Sequence, residues 1–266
     1  MTAFFCDLDD ETRVECRTCG EISQGGVVLV FLHEGLGCAS LWKDFPETLS
    51  RATGLPALWY SRPGYGRSSG IACPRPVTYM HHEALVVLPR LLDELGISSA
   101  ILFGHSNGAS ISLIHGGSEH AHRVLGIIAE TPHVFIEEIT IESIRDLVEQ
   151  YEHGDLRPRL ARHQGDNVDC AFRGFAETWL VPENAASWNI LAYVKNIKVP
   201  TLAIQGKDDR YGTLRQVESI RDAAPGLVEA EIIPGCGHHP HFEAADRVVR
   251  RSTEFIRKLL AGSGRD

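Results

Sequence analysis

The sequence predicts an α/β fold, a mostly parallel β-sheet flanked by helices on both faces, with a helical cap inserted between two of its strands. Three observations carry that expectation. Short strand-like runs recur at residues 27–32, 57–60, 100–103, 124–129, 201–205 and 229–233. Stretches with helical spacing fall between them, and strands alternating with helices give a parallel sheet covered on both sides. One long stretch, residues 135–198, breaks the alternation: it is charged, helix-prone and aromatic-rich, without a β-branched run.

Residues 1–24 alternate loosely and read as an N-terminal hairpin. Val27-Val28-Leu29-Val30-Phe31-Leu32 is apolar throughout, the pattern of a strand buried on both faces. Residues 40–52 read as a helix stopped near Gly54 and Pro56. In residues 79–95 the positions Ala84, Leu85, Leu88, Leu91, Leu92 and Leu95 keep a helical period, so the stretch reads as one helix that Gly96 ends. Thr213-x-x-Gln216 has the form of a capping box opening a helix that runs to Ala224. Residues 243–260 form an amphipathic terminal helix with Val248, Val249, Phe255, Ile256 and Leu259 on one side. These assignments divide the chain into a core, residues 1–134 and 199–266, and a cap, residues 135–198.

With 266 residues, 43% hydrophobic and 23% charged, the chain can bury a large core. Its net charge of -9 argues against nucleic acid and anionic membranes as partners, since both select a basic face. No apolar run approaches the ~18 residues of a membrane span. Residues 1–10 are acidic and lack the pattern of a signal peptide. Seven cysteines (Cys6, Cys16, Cys19, Cys38, Cys73, Cys170 and Cys236) are scattered rather than arranged as a disulfide framework. They predict free thiols in a reducing cytoplasm. Cys16 and Cys19 form a lone Cys-x-x-Cys pair with no second pair at zinc spacing. The expected partner is a small-molecule substrate, with no cofactor and no metal, and a homodimer is left open.

The most informative motif is Gly104-His105-Ser106-Asn107-Gly108. An apolar strand precedes it and a helix-compatible stretch follows, the context in which Gly-x-Ser-x-Gly is a nucleophile elbow. Such a turn lifts the Ser106 hydroxyl above the sheet edge and aims a helix N-terminus at any oxyanion formed there. A serine nucleophile needs a base, and the base an orienting group. Asp208 and Asp209 follow the strand at 201–205, on the edge of the sheet where ligands usually bind. Only one of them can point at the site. The strand at 229–233 leads to Pro234-Gly235-Cys236-Gly237-His238-His239-Pro240-His241. A single catalytic His238 is favoured over a metal cluster of the three histidines, because no acidic or Cys partner is spaced locally to complete one. Oxyanion donors are expected from the Asn107 N–H and from the loop His33-Glu34-Gly35-Leu36-Gly37.

In this order the motifs resemble the α/β-hydrolase superfamily over nearly the whole chain. Ser61-Arg62-Pro63-Gly64-Tyr65-Gly66-Arg67-Ser68 adds to the likeness, resembling the family's Asp-x-Arg-Gly-x-Gly-x-Ser turn with Ser61 and Pro63 substituted. The resemblance implies Ser106 as nucleophile, Asp209 as orienter from the Gly-x-x-Asp spacing, and His238 as base. It implies Gly35 and Asn107 as oxyanion donors, with Leu36 competing for the first of these places. Glu34 stands where the family has Gly. A carboxylate there disfavours an anion unless it is neutralised, with Arg62 or Arg67 as candidate partners, or unless it recognises a cationic group. Trp179 and Trp188 of the cap, with Glu34 and Leu36, are the expected pocket residues. The implied activity is hydrolysis of a small carboxylic ester, amide or thioester through an acyl-enzyme. C–C bond hydrolysis, cofactor-free oxygenation and a non-catalytic ligand receptor are the alternatives.

Overall fold

The computed structural model describes residues 1–224 and 226–262, among which eight strands form one sheet. They are β1 (Thr2–Asp7), β2 (Arg13–Cys19), β3 (Val27–Leu32), β4 (Ala57–Tyr60), β5 (Ser99–His105), β6 (Val124–Glu130), β7 (Thr201–Gly206) and β8 (Val228–Ile233). Their spatial order is β1-β2-β4-β3-β5-β6-β7-β8. The N-terminal hairpin joins antiparallel, β1 to β2 and β2 to β4, and every later pairing is parallel.

Alternation within the central strands explains why both faces are covered. Val28, Val30, Leu32, Ala100 and Leu102 enter one core layer, while Val27, Leu29, Phe31, Ile101 and Phe103 enter the other. The second layer is closed by Trp42, Phe45, Phe255 and Ile256 from the helices Phe45–Thr53 and Ala245–Gly262 and the turn before them. Leaving water contributes about 1.5–3 kcal/mol for each such large apolar side chain. The first layer takes the helix Asn107–Gly116, buried at every position, and reaches up into the cap through Ile144, Phe172 and Trp179.

The cap lies between β6 and β7. It consists of the helices Glu138–His153, Leu156–Gln164, Val168–Leu180, Pro182–Ser187 and Leu191–Val194, with a short 3-10 turn. The single β-bridge there, Phe135 to Asn189, ties its two ends together.

Four helical expectations are corrected. Residues 79–95 do not form one regular helix, because a π turn at Glu83–Val87 separates Tyr79–His82 from Leu88–Glu94. Pro89 has no N–H to donate and its ring crowds the preceding turn, so the ladder widens just before it. Residues 40–52 split into a 3-10 turn, Ala39–Trp42, and the helix Phe45–Thr53, with Lys43 at φ 52° between them. The terminal helix starts at Ala245 rather than at 243. Gln216 does not close a capping box. Its side chain accepts from the Val134 N–H (2.8 Å) and donates to Phe135 O and Glu137, stitching the cap entry to the core.

Candidate active site

Ser106 follows β5 at φ 53° and ψ -116°, a backbone region that costs a non-glycine residue strain. The turn is held by the Ser106 N–H on Glu130 O (2.8 Å) and by the Ala109 and Ser110 N–H groups on Ser106 O. Two glycines make it possible. A Cβ on Gly104 would lie 2.2 Å from Gly108 O, and one on Gly108 would lie 1.9 Å from Leu32 O. Helix and sheet therefore approach more closely than any side chain permits.

The two loops after β7 and β8 bring Asp209 and His238 together. His238 Nδ1 lies 2.9 and 2.8 Å from the two Asp209 carboxylate oxygens. Asp209 is buried and also accepts from Gln205 Nε2 (2.8 Å) and the Tyr211 N–H (2.8 Å). Burial pushes its carboxyl up, but His238 and the Tyr211 N–H outweigh that and hold it below the usual carboxylate range. Asp208 is exposed and makes only a backbone bond, to Cys236 O. The His238 loop is fixed by Glu243, whose carboxylate accepts from the Gly237 N–H (2.7 Å) and the His239 N–H (3.0 Å).

The loop 33–37 is held from behind. Buried Arg62 donates to the His33 and Glu34 carbonyls, and Gln164 of the cap donates to the Leu36 (2.7 Å) and Gly37 (3.1 Å) carbonyls. His33 donates through Nδ1 to Glu34 O (2.8 Å) and accepts at Nε2 from the Arg62 N–H (3.1 Å), the pattern of a neutral ring. Burial and Arg62 push its pKa well down, which agrees. With these carbonyls anchored and the Gly37 N–H closing the turn on Glu34 O, the Gly35 and Leu36 N–H groups are the loop's candidate donors. Gly35 sits tightly: a Cβ there would meet the Phe175 ring at 2.7 Å and Asn107 Nδ2 at 3.2 Å. Asn107 in turn donates its side chain to Tyr79 Oη (2.5 Å).

Glu34 is neutralised by neither arginine side chain proposed from sequence. Its Oε2 lies 3.5 Å from His105 Nδ1, while Arg62 binds only its carbonyl. His105 Nε2 lies 2.7 Å from His238 O. Nε2 thus has an acceptor, while Nδ1 faces the Glu34 carboxylate at ion-pair distance without a hydrogen bond. Burial alone would lower the His105 pKa; Glu34 and Glu130 overcome it and raise it. Desolvation also works against the Glu34 carboxylate, which is half-buried, yet His105 and His33 outweigh it and hold its pKa well below the usual range. The pair bridges the loop 33–37, the elbow and the His238 loop. Its elements were visible in sequence as the residues beside Gly35 and Ser106; that they pair across the sheet edge was not.

The three neighbouring histidines diverge. His238 turns to Asp209, while His241 Nδ1 lies 2.5 Å from buried Glu130 Oε2. His105, Glu130 and His241 do gather ligand atoms within 4.8 Å of one another. In that group His241 Nδ1 is bonded to Glu130 Oε2 and His105 Nε2 faces His238 O, while Glu130 Oε1 and His105 Nδ1 have no hydrogen-bond partner among the described residues.

Ser106 and His238 open into one cavity of about 320 Å³, lined also by Glu34, Gly35, Leu36, Asn107, Phe175 and Trp179. Its remaining wall is largely aliphatic, with Ile136, Ile144, Leu147, Leu156 and Leu160 from the cap side. Arg159 is the one arginine among the described lining residues, and it is exposed and paired with Asp155. Trp188 does not line the cavity. It is buried behind Trp179, ring centroids 5.2 Å apart and edge to face, because Trp179 fills the inner turn of its helix and shields it. Among the described residues no helix is long and apolar enough to cross a membrane.

Comparison with known proteins agrees with this architecture. The chain is similar to a 2-hydroxy-6-oxononadienedioate/2-hydroxy-6-oxononatrienedioate hydrolase of Burkholderia vietnamiensis, 24% identical, with 93% of this chain and 92% of that protein covered. Among solved structures, proline iminopeptidase of Mycobacterium smegmatis superposes with a TM-score of 0.73 at 15% identity, covering 98% of this chain and 100% of that one. The enol-lactonase of Burkholderia xenovorans superposes with a TM-score of 0.72 at 21% identity, covering 95% and 99%. The family model described as alpha/beta hydrolase family matches residues 29–251, and the chain belongs to that family.

Proposed function

We propose that this enzyme hydrolyses a small, mostly apolar carboxylic ester through an acyl-enzyme, with Ser106 as nucleophile, His238 as base and Asp209 as orienter. One observation carries the reading: a strained serine at the edge of the sheet and an Asp-bound histidine open into the same apolar cavity. In this scheme His238 Nε2 takes the Ser106 proton as Oγ attacks the acyl carbon, and Asp209 stabilises the imidazolium. The oxyanion is received by the Asn107 N–H and an N–H of Gly35 or Leu36. Collapse expels the alcohol with the proton from His238, and water then repeats the sequence to release the acid. The ester rather than an anionic substrate is favoured by the lining, where Glu34 is held ionised and Arg159 stands at an exposed position. Acyl esters of graded chain length, assayed with wild type and Ser106→Ala, test this. Turnover of none of them by wild type sinks it.

A second reading is C–C bond hydrolysis, because the Burkholderia vietnamiensis relative is named for dienedioate cleavage. It would place a substrate carboxylate at Arg159. A 2-hydroxy-6-oxodienoate whose absorbance decays with wild type, and is retained with Arg159→Ala, would favour it over ester hydrolysis.

Two further outcomes follow. Trp179→Ala should change the long-to-short acyl ratio of kcat/KM by about 10-fold or more, since wall contacts are read as differential transition-state binding. Trp188→Ala should instead cost about 3–5 kcal/mol of stability as a buried aromatic and leave the ratio nearly fixed. Equal ratio changes in both variants would remove Trp179 from its assigned place. Secondly, activity should survive EDTA, because the proposed triad uses no metal; loss on chelation with recovery on zinc would reassign the His105, Glu130 and His241 group.

A further inference from the structure

Far from the elbow, two thiols meet across the junction of cap and core. Cys73, exposed in the loop between β4 and the helix Tyr79–His82, and Cys170, half-buried on the cap helix Val168–Leu180, bring their Sγ atoms to 2.6 Å. That is closer than unbonded sulfurs rest and a short step from the ~2.05 Å of a disulfide. The surrounding contacts hold the two backbones in place. Thr178 Oγ1 donates to Arg75 O (3.2 Å), and Gly174 leaves room for the Arg75 side chain, against which a Cβ would stand at 2.5 Å. Asn167, just before the helix, donates to the Gly66 (3.1 Å) and Ser68 (2.8 Å) carbonyls. Cys170, Gly174 and Thr178 are therefore one stripe of the helix, facing this loop. The next stripe, Ala171, Phe175 and Trp179, points inward, and its last two members line the cavity.

We propose that Cys73 and Cys170 form an oxidation site, closing to a disulfide on exchange with a low-molecular-weight disulfide and stapling the cavity-lining cap helix to the core. Cys73 is the accessible partner and attacks first. Its thiolate cleaves the S–S bond of the small disulfide, forming a mixed disulfide and releasing one thiolate. The Cys170 thiolate then attacks Cys73 Sγ and expels the second. Two protein thiols are oxidised, one small disulfide is reduced to two thiols, and the leaving thiolates take up the two protons. Partial desolvation of the sulfur and the neighbouring Cys170 thiol raise the Cys73 pKa to about 11, with Arg75 opposing, so the exchange is best driven in mild alkali. The bond would close a loop across a separation of 97 residues, long enough for a large effect on the unfolded chain.

The test uses the full-length protein and oxidised glutathione at about pH 8.5. Expected are a Cys73–Cys170 linked peptide under non-reducing digestion, loss of two of the seven titratable thiols, and a Tm raised by roughly 5 °C or more, all reversed by dithiothreitol. Cys73→Ser should show none of these and should keep the Tm of the reduced protein. Cysteines that stay alkylatable, or that carry glutathione separately without the linked peptide, overturn the site. A linked peptide with no rise in Tm overturns the staple. A lower long-to-short acyl ratio in the oxidised form is expected on the esterase reading; if the reduced enzyme cleaves no ester, that reading fails while mass and Tm still decide this one.

Discussion

Ser106→Ala and His238→Ala are each expected to abolish nearly all turnover while the fold remains intact. Ser106 Oγ is the only attacking atom in the scheme, and His238 is its only proton acceptor, so removal of either stops the same step. The double variant should then lose little beyond either single one, out of a total on the order of 10⁶. Kinetics on all three proteins, with circular dichroism and Tm to establish folding, decide the matter. Stability should hardly move. The strained backbone at φ 53° is imposed by the Gly104–Gly108 packing and the Glu130 carbonyl, none of which alanine disturbs. Losses that multiply in the double variant would mean that Ser106 and His238 act independently.

Much of this arrangement was legible because local chemistry and global fold point the same way. A short unbroken run rich in β-branched residues such as Val27–Leu32 reads as a strand buried on both faces, and the sheet puts it next to the elbow strand. Gly-x-Ser-x-Gly is readable because its glycines answer steric demands that any side chain would violate. The Asp209 register was readable only through resemblance; from the residues alone Asp208 was its equal. What stayed hidden depends on contacts between segments distant in sequence. The Glu34–His105 pair joins two loops, and Gln164 reaches 127 residues back to the Gly37 carbonyl. Nothing in a local pattern distinguishes Trp179 from Trp188, because both sit in the cap at buried positions; only packing decides which ring faces the cavity. The pairing of Cys73 with Cys170 is hidden for the same reason. Scattered cysteines exclude a framework, but they do not exclude one pair that the fold brings together.

Asp209→Asn should cost roughly 10⁴ in kcat, by analogy with the same change in another serine triad, whereas Asp208→Asn should be nearly silent. The difference follows from what each carboxylate touches. Asp208 is exposed and its side chain serves no partner in the site. Asp209 accepts from three donors at once: His238 Nδ1, Gln205 Nε2 and the Tyr211 N–H. An asparagine amide can keep one oxygen toward the Tyr211 N–H and His238, but its NH₂ then faces the Gln205 NH₂. Gln205 can relieve that conflict by turning its amide over, since its Oε1 has no partner now. Doing so forfeits its bond to Gly212 O at 3.1 Å. The other orientation keeps the bond from Gln205 but sets its NH₂ against the Tyr211 N–H and presents an N–H to His238 Nδ1, fixing the tautomer whose Nε2 carries the proton and cannot accept one from Ser106. Either way the negative charge that stabilises the imidazolium is gone. The expected signature is a fall in kcat with KM nearly unchanged, because Asp209 acts on the transition state through His238 and touches no substrate. If Asp208→Asn is the variant that loses activity, the orienter has been assigned to the wrong one of two adjacent carboxylates.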